Sequence, residues 1–283
     1  MTNSTWNDLW LNEGFTTYVE HRIMEELRGR AYADVLWYML RQDIDRVIAE
    51  HGKGPQTRIA HSYGRETAVE DIPRGVVYEK GALFLRTLEE AYGRDAFDAW
   101  LRGWFDRHAF APVDSRTFLA EAKSLGTKVD LSAWLYQGGL PDGAAATESE
   151  RATAIEQLAA NQGDIDSSAW STLEWVVYLR ALPADVTAER LKALDARHQL
   201  TASPNNEIAM HWLPLLVRVD ARDAAPAVEA FLAKVGRLRM IRPLYKAMMA
   251  GTPFWRELAK TTFERAKPRY HPITRESIGG MLK

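Results

Sequence analysis

The chain has 283 residues, enough for two ordinary domains or one large one. With 46% hydrophobic and 26% charged residues and a formal net charge of -2, it reads as a globular protein without the basic footprint of a nucleic-acid binder. It contains no cysteine, which excludes disulfides, thiolate zinc sites and a thiol nucleophile, and it has no apolar run long enough to span a membrane.

The hydrophobic pattern predicts helices nearly throughout. Phe15, Tyr18, Val19, Ile23 and Leu27 share one helix face, with Asn12 as a candidate cap and Gly29 as the stop. A second helix is predicted over about 33–48, ended by Gly52 and Gly54. Residues 55 to 75 are polar and irregular, and long ordered connections tend to be functional. Helices follow over about 78–92 and 96–107, then one capped by Asp114 or Ser115 and running to about Leu125, then a short one over Leu131 to Tyr136. The turn cluster Gly138-Gly139-Leu140-Pro141-Asp142-Gly143 and the small polar stretch behind it mark a boundary, dividing the chain into 1–143 and 144–283. Beyond it the expected helices are about 150–161, 168–181, 187–197, 204–217, 224–235, 243–250 and 253–267. Short helices with tight links imply a bundle or a helix-pair stack. The expected class is all-α, with a short strand near 60 or 238 as the only β candidate.

Three segments carry candidate chemistry. In Trp10-Leu11-Asn12-Glu13-Gly14-Phe15, Glu13 falls in a first helical turn, where free backbone N–H groups and the helix dipole favour a carboxylate. By itself that reads as an ordinary helix-start acid. In Val77-Tyr78-Glu79-Lys80-Gly81-Ala82, Tyr78 reads as a packing residue with a wet tip, or as a hydrogen-bond donor that stays un-ionised at neutral pH. In Gly236-Arg237-Leu238-Arg239, the two guanidiniums read as a solvated basic loop or as a grip for a carboxylate.

Taken in order, these segments resemble peptidase family M1. Trp6-Asn7-Asp8-Leu9-Trp10-Leu11-Asn12-Glu13-Gly14-Phe15 is similar to the family segment that carries the third zinc ligand, and Tyr78-Glu79-Lys80-Gly81 to the one whose tyrosine donates to the oxyanion. Gly236-Arg237-Leu238-Arg239-Met240-Ile241-Arg242-Pro243-Leu244 resembles the carboxylate-binding segment of the leukotriene A(4) hydrolase branch, with Arg239 where that branch has Lys. Ala133-Trp134-Leu135-Tyr136-Gln137-Gly138-Gly139-Leu140-Pro141, Asn205-Asn206-Glu207-Ile208, His211-Trp212-Leu213 and Tyr270-His271-Pro272-Ile273-Thr274 extend the likeness over the whole chain. Val77 stands where the branch often has Pro, and the acidic residue expected upstream has no secure match, Glu70 and Asp71 being the candidates.

The resemblance implies a zinc metalloaminopeptidase that removes N-terminal residues from short peptides with zinc-activated water. It assigns Glu13 as a zinc ligand, Tyr78 as the catalytic donor and Arg237 with Arg239 as substrate-binding residues, with Glu20 a weaker candidate beside the metal. It implies the rear helical half of a thermolysin-like catalytic domain over 1–143 and an armadillo-like helical C-terminal domain over 144–283. Cytoplasm is the expected compartment, and neither membrane nor nucleic acid is an expected partner. The family's H-E-x-x-H segment is missing, because no two of the seven histidines (21, 51, 61, 108, 198, 211 and 271) stand four apart. The expectation is therefore a C-terminal piece, inactive alone and lacking bound zinc. Its partner would be the missing N-terminal portion, and Leu9, Trp10 and Phe15 would lie on the wall thereby exposed. The competing expectations are a catalytically dead helical scaffold or binding module, and a truncated product without an independent role.

Overall fold

The structure is a computed structural model, and it describes residues 1–61 and 75–283. It divides into two compact units, Met1–Arg151 and Ala152–Lys283. Fourteen α-helices account for nearly all regular structure among the described residues. The helical expectation therefore holds.

In the first unit a short strand β1 (Thr2–Asn3) precedes α1 (Trp10–Arg28) and α2 (Arg30–His51). A π-helical turn, Val76–Lys80, leads into α3 (Gly81–Tyr92), followed by α4 (Arg94–Arg107), strand β2 (Pro112–Val113), α5 (Ser115–Ala122) and α6 (Leu131–Tyr136). Gly29 and Gly93 end their helices at φ +85° and +87°, a conformation that costs a side-chain-bearing residue dearly. Asp114 and Asp130 cap α5 and α6 by accepting from Thr117 N at 2.8 Å and Ala133 N at 2.9 Å. Among the described residues the strands lie elsewhere than expected. β1 pairs in parallel with β2, and Leu238 opens a helix.

The core of this unit is aromatic. Phe118 meets Trp10 edge to face at 4.9 Å and Phe84 stacks on Trp134 at 5.2 Å, with Phe15, Tyr18 and Trp104 around them. Leu9, Trp10 and Phe15, expected on an open wall, are instead buried here, at 9%, 0% and 3% exposure. The reason is that α3, α4 and α5 close over the start of α1. The stripe predicted along α1 is covered only in its first half, since Ile23 is 52% and Leu27 is 70% exposed.

The second unit continues α7 (Glu150–Asn161) with α8 (Thr172–Ala181), α9 (Ala188–His198), α10 (Asn206–Arg218), α11 (Ala225–Lys234), α12 (Leu238–Ala250), α13 (Pro253–Ala266) and α14 (Pro272–Met281). Contacts run from α8 to α10, α10 to α12 and α12 to α14, while α11 packs on α13. Alternate helices thus line up in two layers, the armadillo-like stacking of helix pairs. Helix α12 starts at Leu238 rather than near Pro243, because the proline sits inside it and forgoes one backbone bond. Helix α14 carries Pro272 in its first turn, and the His271 side chain accepts from Ile273 N at 3.3 Å.

Candidate active site

Glu13 stands in the first turn of α1, partly exposed. Leu9, not Asn12, takes the capping position, and its carbonyl accepts from Glu13 N at 3.1 Å. The chain is already coiled at Trp6–Asp8, so the helix begins before Asn12 is reached. The Asn12 side chain instead exchanges hydrogen bonds with Asn3, accepting from its backbone N at 3.0 Å and donating to its Oδ1 at 2.6 Å. Asp8 fixes the entry to the helix from below. Its buried carboxylate accepts from Ser115 N at 2.9 Å and Ser115 Oγ at 2.8 Å, and Trp10 Nε1 donates to the same hydroxyl at 2.9 Å. Among the described residues the Glu13 carboxylate has no hydrogen-bond or ion-pair partner of its own.

Tyr78 lies on the π-helical turn, half-buried, and packs against the aromatic core. Such turns recur at functional sites. The turn and α3 both pack on α1. What lets them do so is a glycine in each motif. A Cβ on Gly14 would sit 2.9 Å from both Cα and C of Gly81, and one on Gly81 would sit 3.0 Å from Gly14 Cα. The Asn-Glu-Gly and Tyr-Glu-Lys-Gly motifs are thus neighbours in space, joined backbone to backbone.

The two charged residues of the second motif are directed inward. Burial pushes the Glu79 carboxyl up to about 7, aided slightly by the charge of Asp43 and opposed by its own backbone N–H. Burial pulls the Lys80 ammonium down to about 7, and that group donates to the carbonyls of Thr57 and Gln137. His21, against Trp37 at 4.3 Å, is lowered to about 4 by burial and then by Arg86.

An open groove of about 670 Å³ runs along α1. Glu13 and Glu20 supply its carboxylates, and Leu11, Phe15, Val19 and Ile23 much of its apolar wall. Phe105 of α4 and Met1 close its side. Tyr78 lies outside this lining.

Arg237 and Arg239 belong to the second unit, and there they differ. Arg237 is exposed at the N-terminal cap of α12 and has no ion pair among the described residues. Arg239 pairs with Glu207 of α10, and its other nitrogen lies 3.9 Å from Met210 Sδ. The loop in front of them is braced from the C-terminal end. Thr274 Oγ1 donates to Gly236 O at 3.3 Å, and Tyr270 OH donates to Leu232 O at 2.7 Å. The Gly-Arg-x-Arg, Asn-Glu and Tyr-His-Pro-x-Thr segments therefore form one assembly, although long stretches of sequence separate them.

Among the described residues no three His, Asp or Glu side chains converge as a zinc site requires. The free carboxylate of Glu13 fits one ligand position, and these residues alone do not complete the set. Glu70 and Asp71 lie outside the described residues. Pattern reading missed the bracing residues Asp8, Thr57, Lys80 and Thr274. Lys80 was legible only as a charge one turn into a helix, with nothing in its spacing to announce burial.

Residues 1–134 match the peptidase family M1 domain. These residues share the domain of that family, whose members are in general zinc-dependent aminopeptidases. Residues 170–282 match the model for the C-terminal part of leukotriene A4 hydrolase. It is 28% identical to leucine aminopeptidase 2 of Ajellomyces capsulatus, over 97% of this chain and 47% of the relative. It is equally 28% identical to leucine aminopeptidase 2 of Emericella nidulans, over 98% of this chain and 48% of that one. The fold is that of yeast LTA4 hydrolase solved in complex with bestatin, with a TM-score of 0.90, 24% identity, and coverage of 100% of this chain and 51% of the other. The native enzyme from Saccharomyces cerevisiae gives a TM-score of 0.82 at 24% identity, over 99% of this chain and 51% of that one. The chain thus spans about half the length of the curated relatives it matches.

Proposed function

We propose that this chain supplies the rear wall of the active site of a zinc metalloaminopeptidase, with residues 1–143 from the catalytic domain and 144–283 forming the helical C-terminal domain. The observation that carries this reading is the glycine-to-glycine contact that seats the Glu13 and Tyr78 motifs side by side. In the whole enzyme a bound zinc would supply an activated water, and Glu13 would be its one carboxylate ligand beside two histidines. Tyr78 donates its phenol proton to the developing oxyanion of the scissile carbonyl, a role suited to a donor that stays neutral at pH 7. Arg237 holds the free carboxylate of a short peptide, with Arg239 beside it.

Alone, the chain binds no catalytic zinc and hydrolyses no peptide, because one carboxylate cannot replace three converging ligands and the general base is missing. The groove along α1, where Val19 is half-buried and Ile23 exposed, is where the N-terminal portion would pack. That same groove is the observation that favours a non-catalytic binding module as the second reading. No described helix is long and apolar enough to cross a membrane.

The test is to purify the chain, dialyse it against zinc, count bound metal and assay aminoacyl-anilide cleavage. Stoichiometric zinc with chelator-sensitive turnover would overturn the inactivity of the isolated chain. Co-expression with the N-terminal half of a relative, such as the Emericella leucine aminopeptidase, should restore turnover. If it restores none while the two parts bind one another, the scaffold reading replaces the enzymatic one.

A further inference from the structure

Lys80 is wholly buried, and its ammonium donates to Thr57 O at 2.9 Å and Gln137 O at 2.8 Å. A buried lysine whose acceptors are carbonyls rather than a carboxylate is uncommon, because its charge loses hydration without gaining a counter-charge. Other contacts converge on the same point. Thr57 is itself fully buried, and its hydroxyl accepts from Gly139 N at 2.9 Å and donates to Gly52 O at 2.9 Å. Gly138 lies so near the preceding segment that a Cβ there would sit 2.3 Å from the carbonyl oxygens of Lys53 and Gly54. The segment behind α2, the exit of α6 and the π-helical turn are therefore tied into one knot, with the Lys80 ammonium at its centre.

The π-helical turn departs from the backbone bonding of the α-helix it leads into and stands as a single turn. Two positions apart on such a turn, Tyr78 and Lys80 project to roughly opposite sides. An apolar side chain would fill the space that Lys80 occupies, but it would leave the Thr57 and Gln137 carbonyls without this donor. We propose that Lys80 is a positioning residue: by gripping these two carbonyls from behind, it fixes the π-helical turn and with it the direction in which Tyr78 presents its phenol. The inference gives the motif lysine a task that rests on the reading of Tyr78 as the oxyanion donor, but its geometry can be tested without turnover.

The experiment uses the full chain with tyrosine labelled at the ring ζ carbon, the Tyr78 line being assigned with Tyr78→Phe. Lys80→Met keeps the length and apolar stem and removes the donors. The expected result is a shifted or broadened Tyr78 line, while Tyr18 and Tyr92 of the same unit keep theirs. A folded Lys80→Met chain with an unmoved Tyr78 line overturns the proposal. If that variant does not fold, Thr57→Val decides. It leaves Lys80 and both carbonyls in place but cuts the tie to Gly139, and the Tyr78 line should again move, an unmoved line being the overturning result. Failure of the oxyanion assignment reads differently: a reconstituted Tyr78→Phe enzyme would retain full turnover, and the line shift in the chain would be unaffected.

Discussion

Replacing Gly14 with Ala puts a methyl group between α1 and α3. Its carbon would lie 2.9 Å from Gly81 Cα and C and 3.3 Å from Ala82 N, all backbone atoms, whereas ordinary contact begins at 3.4 Å. No side chain can step aside, so the two helices must separate by several tenths of an ångström. Overpacking of this kind costs about 1–3 kcal/mol, and the gain in helix propensity from Gly to Ala returns about 1 kcal/mol. The expected net loss is about 1–2 kcal/mol, which lowers a urea midpoint by roughly 0.5–1 M. Gly280 supplies the control. It too is helical, in α14, yet a Cβ there meets nothing within 4 Å. Gly280→Ala should therefore stabilise the chain, by about 0.5–1 kcal/mol. Urea unfolding of both variants followed by circular dichroism measures the two signs. If Gly14→Ala is as stable as the parent, the close crossing is wrong, and with it the argument that seats Glu13 beside the Tyr78 motif. Gly81→Ala should repeat the loss, since its Cβ would meet Gly14 Cα at 3.0 Å.

Glu79 predicts a pH effect of definite sign. Its carboxyl is raised from an ordinary 4.5 to about 7, so its contribution is fully present below pH 4.5 and is lost as pH rises through 7. Glu79→Gln should thus match the parent near pH 4.5 and exceed it by roughly 3 kcal/mol above pH 8; equal curves across the range would refute the burial of that carboxyl. Lys80, lowered from 10.5 to about 7, works in the opposite direction above neutrality: the unfolded chain binds the extra proton there, so this group adds stability as pH climbs from 7 to 10.5. Asp8→Ala strips Ser115 of a buried charged acceptor and should cost roughly 2–3 kcal/mol in thermal or urea unfolding. Arg239→Ala breaks only an exposed pair with Glu207 and should cost under about 1 kcal/mol, while Arg237→Ala should leave unfolding unchanged. In a reconstituted enzyme Arg237→Ala should weaken the use of free-acid peptides far more than amidated ones, and equal losses would refute the carboxylate role.

The sequence by itself determined the helices and the order of the motifs. Apolar periodicity, the stops at Gly29 and Gly93 and the cap at Asp114 are local signals, carried by residues within a few positions of the boundary they set. They misled where local chemistry has two uses. Pro243 favours a helix start yet sits inside α12, and Asn12 is a good cap yet serves Asn3. The resemblance pointed to Glu13, Tyr78, Arg237 and Arg239 as site residues. Only the tertiary structure decided what surrounds them. That Leu9, Trp10 and Phe15 are core while Ile23 and Leu27 of the same helix are exposed depends on where α3, α4 and α5 end, which no stripe on α1 encodes. That Gly14 must be glycine depends on Gly81, and that Lys80 is buried depends on Thr57 and Gln137. Periodicity records which side of a helix faces inward, but it cannot say which distant backbone waits there, because such contacts are fixed only when the whole unit packs.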